Sequence, residues 1–118
     1  MRAVRGAISV ISNTKNNILK ATKKLLKEIL KVNNIVEEEI VCINFTATYD
    51  LNKVYPAVAA REIGLNLIPL LCYQEMKVVG SLEKCIRVMV YINRDCRLNE
   101  IKHVYLKKAK KLRPDLLD

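Results

Sequence analysis

Residues 3–32, AVRGAISVISNTKNNILKATKKLLKEILKV, decide the fold class because a strand pattern runs directly into a helix pattern. Residues 3–11 are rich in β-branched side chains that loosely alternate with others, which predicts a first strand. Asn13 and Thr14 are residue types that cap helices. From there to Val32 the buried-type positions recur at helical spacing, which predicts a long amphipathic helix. Those positions are Ile18, Thr22, Leu25, Leu26, Ile29 and Val32.

The remaining sequence contains three strand patterns. Residues 40–47 alternate with period two, and residues 85–93, CIRVMVYIN, form the clearest strand pattern of the chain. Residues 65–73 are nearly all apolar, which predicts a strand buried on both faces. Pro69 within this strand predicts an edge position or a bulge.

A short helix and an ambiguous segment complete the chain. Residues 55–64, YPAVAAREIG, predict a short helix with Pro56 in its first turn and Gly64 as its end. Residues 101–112 combine a Val-Tyr-Leu strand signal with a Lys/Ala helix signal, and periodicity does not decide between them. The order of elements predicts one α+β domain over residues 1–118, with a mixed β-sheet, one long helix and one short helix. One long helix covers only one face of such a sheet, so we expect self-association to cover the other.

Composition restricts the class of protein further. The 118 residues are 51% hydrophobic and carry a formal net charge of +9, which predicts an anionic partner. No apolar run approaches the ~20 residues that span a bilayer, and the N-terminus lacks a signal-peptide pattern. Four cysteines without a CxxC pair and one histidine, His103, favour reduced thiols over disulfides or a metal site. We therefore expect a cytoplasmic protein without a membrane segment or a metal.

Several arginines lie in apolar surroundings. Arg5 lies in the first strand pattern, Arg87 lies in CIRVMVYIN, and Arg113 lies in LRPDLL near the C-terminus. A desolvated guanidinium needs an anion or hydrogen-bond acceptors, and it can clamp a carboxylate through two parallel bonds. The alternative is that each arginine faces solvent or pairs internally with Glu75 or Asp115.

Other residues have two interpretations each. Glu75 is either a catalytic acid or base, or the ion-pair partner of an arginine. Tyr105 is either a buried core ring or a hydroxyl that donates to an anion. Cys72 is either a nucleophile or, more simply, a buried thiol. The lysines on the polar side of the long helix form a nucleic-acid footprint or a solvated helix face, and the absence of a nucleic-acid motif favours the latter. These lysines are Lys20, Lys24, Lys27 and Lys31. Phosphate-binding loops, dinucleotide fingerprints, nucleophile elbows and HExxH motifs are absent, so none of these motifs identifies a catalytic site.

Five motifs in order give the chain a close resemblance to the AroH-class monofunctional chorismate mutases. They are RGAISV (5–10), YPAVAAREIG (55–64), CYQEM (72–76), KCIRVMV (84–90) and IKHVYLKKA with LRPDL (101–116). The resemblance implies a trimeric pseudo-barrel with active sites in clefts between chains. It also implies the Claisen rearrangement of chorismate to prephenate in phenylalanine and tyrosine biosynthesis, without metal or organic cofactor.

The resemblance also implies residue roles. Arg87 donates to the ether oxygen and a carboxylate of chorismate, Arg5 and Tyr105 bind carboxylate oxygens, and Glu75 and Cys72 approach the ring hydroxyl. The implied substrate-binding residues are Tyr55, Ala57, Arg61, Leu70, Leu71, Leu112 and Arg113. The segment from about residue 112 is expected to be mobile and to close over the site. Val58 stands where the family commonly has a lysine, so one auxiliary cation is expected to be missing.

Two other function classes compete with the enzyme. A non-catalytic module of the same fold, binding an anionic metabolite, needs Arg5 and Arg87 but neither Glu75 nor Cys72. The presence of both favours the enzyme. An RNA-binding domain rests on the +9 charge and on the lysines of the long helix, and it predicts steeply salt-dependent association with nucleic acid.

Overall fold

The computed structural model describes residues 1–114 and confirms the predicted α+β architecture. Its strands and α-helices are β1 (Arg2–Ser9), α1 (Lys15–Val32), β2 (Ile40–Ala47), α2 (Ala57–Glu62), β3 (Leu70–Gln74), β4 (Cys85–Ile92) and β5 (Val104–Leu106). Single 3₁₀ turns or short 3₁₀ helices occupy Glu37–Glu39, Leu98–Glu100 and Lys107–Leu112.

The five strands form one mixed sheet in the order β3-β2-β4-β1-β5. β4 is central and runs antiparallel to both β1 and β2. The outer strands β3 and β5 run parallel to β2 and β1 respectively. The strongest strand pattern of the sequence therefore occupies the middle of the sheet, where both edges are paired.

α1 begins and packs as its sequence predicts. The Thr14 hydroxyl accepts a hydrogen bond from the Asn17 backbone N–H at 3.1 Å, which caps the helix. The buried side of α1 lies on one face of the sheet. The contact is close at Gly6 of β1, where an added Cβ would lie 2.7 Å from Ile29 Cδ1. The lysines Lys20, Lys24, Lys27 and Lys31 are exposed on the opposite side of the helix.

The sheet has one covered and one open face, as the count of helices predicts. Side chains on the covered face are almost inaccessible: Val4, Ile8, Ile43, Phe45, Ile86, Val88 and Val90. The alternate positions point to the other face, which no α-helix within residues 1–114 covers. Only one end of that face is covered, where the 3₁₀ helix Lys107–Leu112 packs against Ala7, Cys85 and Tyr105 among the described residues. We call this face the open face. Cross-strand register places one row of residues on it: Tyr73, Thr46, Arg87, Ala7 and Tyr105.

The prediction of a strand buried on both faces at residues 65–73 is wrong. The strand is Leu70–Gln74, and Leu71 and Tyr73 remain 58% and 50% exposed because their side chains lie on the open face. The edge position that Pro69 predicts is confirmed, since β3 is an outer strand of the sheet. The ambiguous segment 101–112 contains both elements in succession, the strand β5 and then a 3₁₀ helix.

An ion pair fixes the far end of the sheet. Arg94 donates from Nε to Glu39 at 3.1 Å and from Nη2 to the same carboxylate at 2.5 Å. It also donates to the backbone carbonyl oxygens of Asn33 and Asn34 at the end of α1. Arg94 therefore connects the chain after β4 to the end of α1 and to the turn before β2.

Candidate functional site

Arg87 lies at the centre of the open face. Its neighbours in register are Thr46 on β2 and Ala7 on β1. Nε of Arg87 lies 3.8 Å from Oε2 of Glu75. This Nε is buried and has no hydrogen-bond partner among residues 1–114, while the side chain as a whole is 40% exposed. Arg87 therefore keeps an unused donor in a partly desolvated position.

Glu75 directly follows β3 and is held at two points. Its backbone N–H donates to the Ala47 carbonyl at 2.9 Å, and Oε2 accepts from the Thr46 hydroxyl at 2.5 Å. The sequence interpretation of Glu75 as an arginine's partner agrees with this ion pair. The contact is long, because 3.8 Å exceeds the hydrogen-bonding distance between Arg87 and Glu75. The carboxylate thus faces the same region as the guanidinium without neutralising it through a direct bond.

Arg5 and Tyr105 lie on the same face as Arg87, and we call Arg5, Glu75, Arg87 and Tyr105 the open-face group. Arg5 Nε donates to the Tyr105 hydroxyl oxygen at 2.8 Å, and the guanidinium carbon lies 5.9 Å from the ring centroid. The Tyr105 residue is only 5% exposed, so it serves partly as a core ring. Because its oxygen accepts from Arg5, its hydrogen remains to donate to an anion. Both interpretations of Tyr105 are therefore compatible with the structure.

His103 supports this end of the site. Its Nδ1 accepts from the Arg5 backbone N–H at 2.9 Å. Partial burial, followed by the positive charges of Arg5 and Arg113, lowers the pKa of His103 below its ordinary value of 6.5. The imidazole is therefore neutral at pH 7, as its acceptor role requires.

A second group of predicted site residues lies at β3 and α2. Cys72 is in register with the buried Phe45, so its thiol lies on the covered side of the sheet. Burial raises the pKa of the Cys72 thiol, against the effects of an Ala57 backbone hydrogen bond and the Arg61 charge. The thiol is accordingly protonated at neutral pH, which argues against a nucleophile. The structure does not bring Cys72 together with Arg87 and Glu75 on one face.

We call this second set the wall group: Tyr55, Ala57, Arg61, Leu70, Leu71 and Cys72. Tyr55 is 72% exposed and, with Cys72 and Tyr73, borders a cleft of about 620 Å³. Leu70 and Leu71 point to opposite faces of β3, and Leu70 packs on the core.

The C-terminal residues flank the open-face group. Leu112 packs against a small cluster that includes Ala7, Cys85 and Tyr105. Arg113 borders a cavity of about 510 Å³ together with Arg5 and His103. Asp115, the other predicted arginine partner, lies outside the described residues, as does most of the segment expected to be mobile.

Two contacts in the site are not indicated by the sequence. Thr46 bonds Glu75, and Cys85 lies beside the Arg87 guanidinium. Burial raises the pKa of the Cys85 thiol, while the Arg87 charge opposes that shift. The period-two pattern of β2 places Thr46 opposite the apolar side chains, but only the register reveals which residues adjoin it.

The described part of the chain shows neither a metal-binding cluster nor a membrane-spanning helix. Residues 1–114 contain no cluster of three or more His, Cys, Asp or Glu side chains suited to a metal ion. All four cysteines are free thiols. No helix in the described part of the chain is long and apolar enough to cross a membrane.

Known proteins resemble this chain over nearly its whole length. The sequence profile of the family described as Chorismate mutase type I matches residues 1–116. Chorismate mutase AroH of Bacillus subtilis (strain 168) is 45% identical over 117 residues, covering 98% of this chain and 92% of that protein. Chorismate mutase AroH of Thermus thermophilus is 44% identical, covering 98% of this chain and 96% of that protein.

A solved structure agrees with these matches. The chorismate mutase from Clostridium thermocellum superposes with a TM-score of 0.92 at 48% identity, covering 94% of this chain and 99% of that one. Identity at this level over a shared fold extends the resemblance seen in the five sequence motifs to the whole architecture. This chain belongs to the chorismate mutase type I family.

Proposed function

We propose that this protein catalyses the rearrangement of chorismate to prephenate on its open face. Family membership supports chorismate mutase activity, an intramolecular isomerisation in aromatic amino acid biosynthesis. The observation that carries the residue assignment is the buried Nε of Arg87, which lies beside the Glu75 carboxylate and has no hydrogen-bond partner within residues 1–114. A donor desolvated in this way binds a developing anion more strongly than it would in water.

The substrate is a dianion that reacts only from a compact, chair-like conformer. In the proposed mode Arg5 and the Tyr105 hydroxyl, which bond each other at 2.8 Å, hold carboxylate oxygens at one end. Arg87 donates to the other carboxylate and to the ether oxygen. Holding both ends fixes the reactive conformer, which lowers the entropic part of the barrier.

The chemical step moves charge within the substrate. As the ether bond breaks, its oxygen becomes partly negative and the ring becomes partly positive. Arg87 faces the oxygen, and Glu75 accepts a hydrogen bond from the ring hydroxyl and faces the ring. The nearest nitrogen and oxygen atoms of Arg87 and Glu75 are 3.8 Å apart. The protein therefore holds a positive and a negative group in place before the reaction, at a separation that suits the partial charges that develop on the ether oxygen and the ring. No proton, nucleophile or metal enters the step.

We further propose that each site is completed by a neighbouring chain in a homotrimer. Leu70 and Cys72 of the wall group lie on the covered side of β3, whereas Arg87 lies on the open face, so one chain does not bring both groups complete to one substrate. The open face also carries the exposed side chains of Leu71 and Tyr73. A neighbour that covered this face would bury them and bring its own Tyr55, Arg61 and Cys72 to the cleft.

The remaining assignments belong to the same proposal. The chain forms one catalytic domain in the cytoplasm, takes chorismate as its partner, and binds neither nucleic acid nor membrane. Leu112 and Arg113 begin a segment that closes over the bound substrate. Val58 leaves the wall group with Arg61 as its cation, and the net charge of +9 steers the dianion toward the site.

The test is conversion of chorismate by purified protein in buffer with a chelator and no cofactor. Proton NMR follows chorismate and prephenate separately. Prephenate formation well above the buffer rate is expected. Saturable chorismate binding without acceleration would instead identify the non-catalytic anion-binding module.

A further inference from the structure

The Thr46 hydroxyl occupies a position between the two charged groups of the open face. Thr46 and Arg87 are opposite each other in the β2–β4 register. The hydroxyl donates to Oε2 of Glu75 at 2.5 Å, and the same oxygen lies 3.8 Å from Arg87 Nε. One carboxylate oxygen thus accepts a short, charge-assisted hydrogen bond from a hydroxyl and makes a long ionic contact with the guanidinium.

This geometry differs from the usual outcome for such a pair. A guanidinium and a carboxylate this close normally form direct bonds at about 2.7–2.9 Å, and direct bonds reduce the capacity of both to act on a third group. Here Nε of Arg87 is buried without a partner among the described residues, although an acceptor is nearby. A restraint must therefore hold the carboxylate away, and the Thr46 hydroxyl is bonded to the oxygen concerned.

We propose that Thr46 is a positioning residue that holds Glu75 back from Arg87. With Oε2 bonded to Thr46, the Arg87 donor stays available for the ether oxygen, and Glu75 stays directed at the ring hydroxyl. Without the hydroxyl, the carboxylate closes onto Arg87 and the charges required by the transition state are partly neutralised. The expected kinetic effect rests on the proposed function. The expected change in the Arg87–Glu75 distance does not depend on that function.

The kinetic test compares Thr46→Val, which keeps the shape and loses the hydroxyl, with Thr46→Ser, which keeps the hydroxyl. Thr46→Val is expected to lower kcat about tenfold with KM within about twofold, the loss of one net hydrogen bond acting in the transition state. Thr46→Ser is expected to retain kcat within about twofold of wild type. Equal losses in the two variants would overturn the proposal, because a packing role depends on volume rather than on the hydroxyl.

A double-mutant cycle with Glu75→Ala tests whether Thr46 acts through Glu75. Adding Thr46→Val to Glu75→Ala is expected to change kcat by less than about twofold, because the carboxylate that Thr46 holds is gone. A full tenfold loss in that background would overturn the inference. Circular dichroism confirms folding, and Thr46→Ala replaces Thr46→Val throughout if the valine variant does not fold.

Crystal structures give a readout independent of turnover. In Thr46→Val the Arg87–Glu75 nitrogen–oxygen distance is expected to shorten from 3.8 Å to about 3 Å, a direct charge-assisted bond. An unchanged distance would refute the positioning role even if wild-type protein were active. Inactive wild-type protein would refute the proposed function alone.

Discussion

Replacement of Arg87 by alanine is the most informative perturbation of the site. The variant removes the partly desolvated guanidinium whose Nε has no partner within residues 1–114. Removal of one preorganised donor to a developing anion costs about 3–4 kcal/mol, which corresponds to roughly 10²–10³ in kcat. Because Arg87 also supplies a full charge, we expect a loss of at least about 100-fold.

The fold is expected to tolerate this change. Arg87 points to the open face, and the core-facing residues on either side of it in β4, Ile86 and Val88, are unaffected. Sedimentation and circular dichroism should therefore match wild type. Arg97→Ala is a matched control, because it removes one positive charge from an exposed position after β4. Its kcat should remain at the wild-type value.

Arg87→Lys separates charge from geometry. Lysine keeps the positive charge but not Nε or the planar fork, so this variant should also remain severely impaired, at least about tenfold below wild type. Kinetics with chorismate at saturating and limiting concentrations provide kcat and kcat/KM for each variant. Normal turnover by folded Arg87→Ala would refute the assignment of Arg87 to the ether oxygen.

Three further predictions concern other parts of the molecule. Arg113→Ala should raise KM about tenfold with kcat nearly unchanged, as expected for a charged contact to the substrate at the margin of the site; a fall in kcat alone would contradict it. His103 has a lowered pKa in the folded protein, so the unfolded chain binds more protons and stability should fall as pH drops from 7.5 through 6.5. The Tm of His103→Gln should fall less between pH 7.5 and 5.5, and equal losses would disprove the linkage. Arg94→Ala should lower the free energy of unfolding by about 2 kcal/mol, because it removes bonds to Glu39 and two carbonyls. Its kcat should stay normal, since Arg94 lies seven residues beyond Arg87, about 20 Å along the sheet.

The elements that the sequence predicts well are those with a strong period. α1 repeats its buried positions over 18 residues, and β4 alternates over eight, so each pattern outweighs local exceptions. The prediction of burial on both faces fails for residues 65–73, because an apolar run does not show which part of the protein, or which neighbouring chain, covers it. Within the chain β3 is an edge strand with one uncovered side, and the burial that its composition predicts depends on a neighbour.

Some residues of the site can be recognised from the sequence, and others depend on how the strands pair. Arg5, Arg87 and Glu75 are recognisable from charges placed in or beside apolar strand patterns, and the structure brings them to one face. The orientation of Cys72 and the contact of Thr46 depend on how β2 pairs with β3 and β4. Strand register is a long-range property, so neither feature is visible in a local pattern.

Subunit complementation tests most directly the claim that open-face and wall groups from different chains complete one site. Arg87→Ala disables the open-face group, and Arg61→Glu places a repelling carboxylate at an exposed position of the wall group. Each pure variant should be nearly inactive. If the groups come from different chains, random mixing in trimers should restore about a quarter of the sites to the wild-type combination. Mixed trimers verified by native mass spectrometry should therefore recover roughly that share of wild-type activity. No recovery in such trimers would contradict a site built between chains.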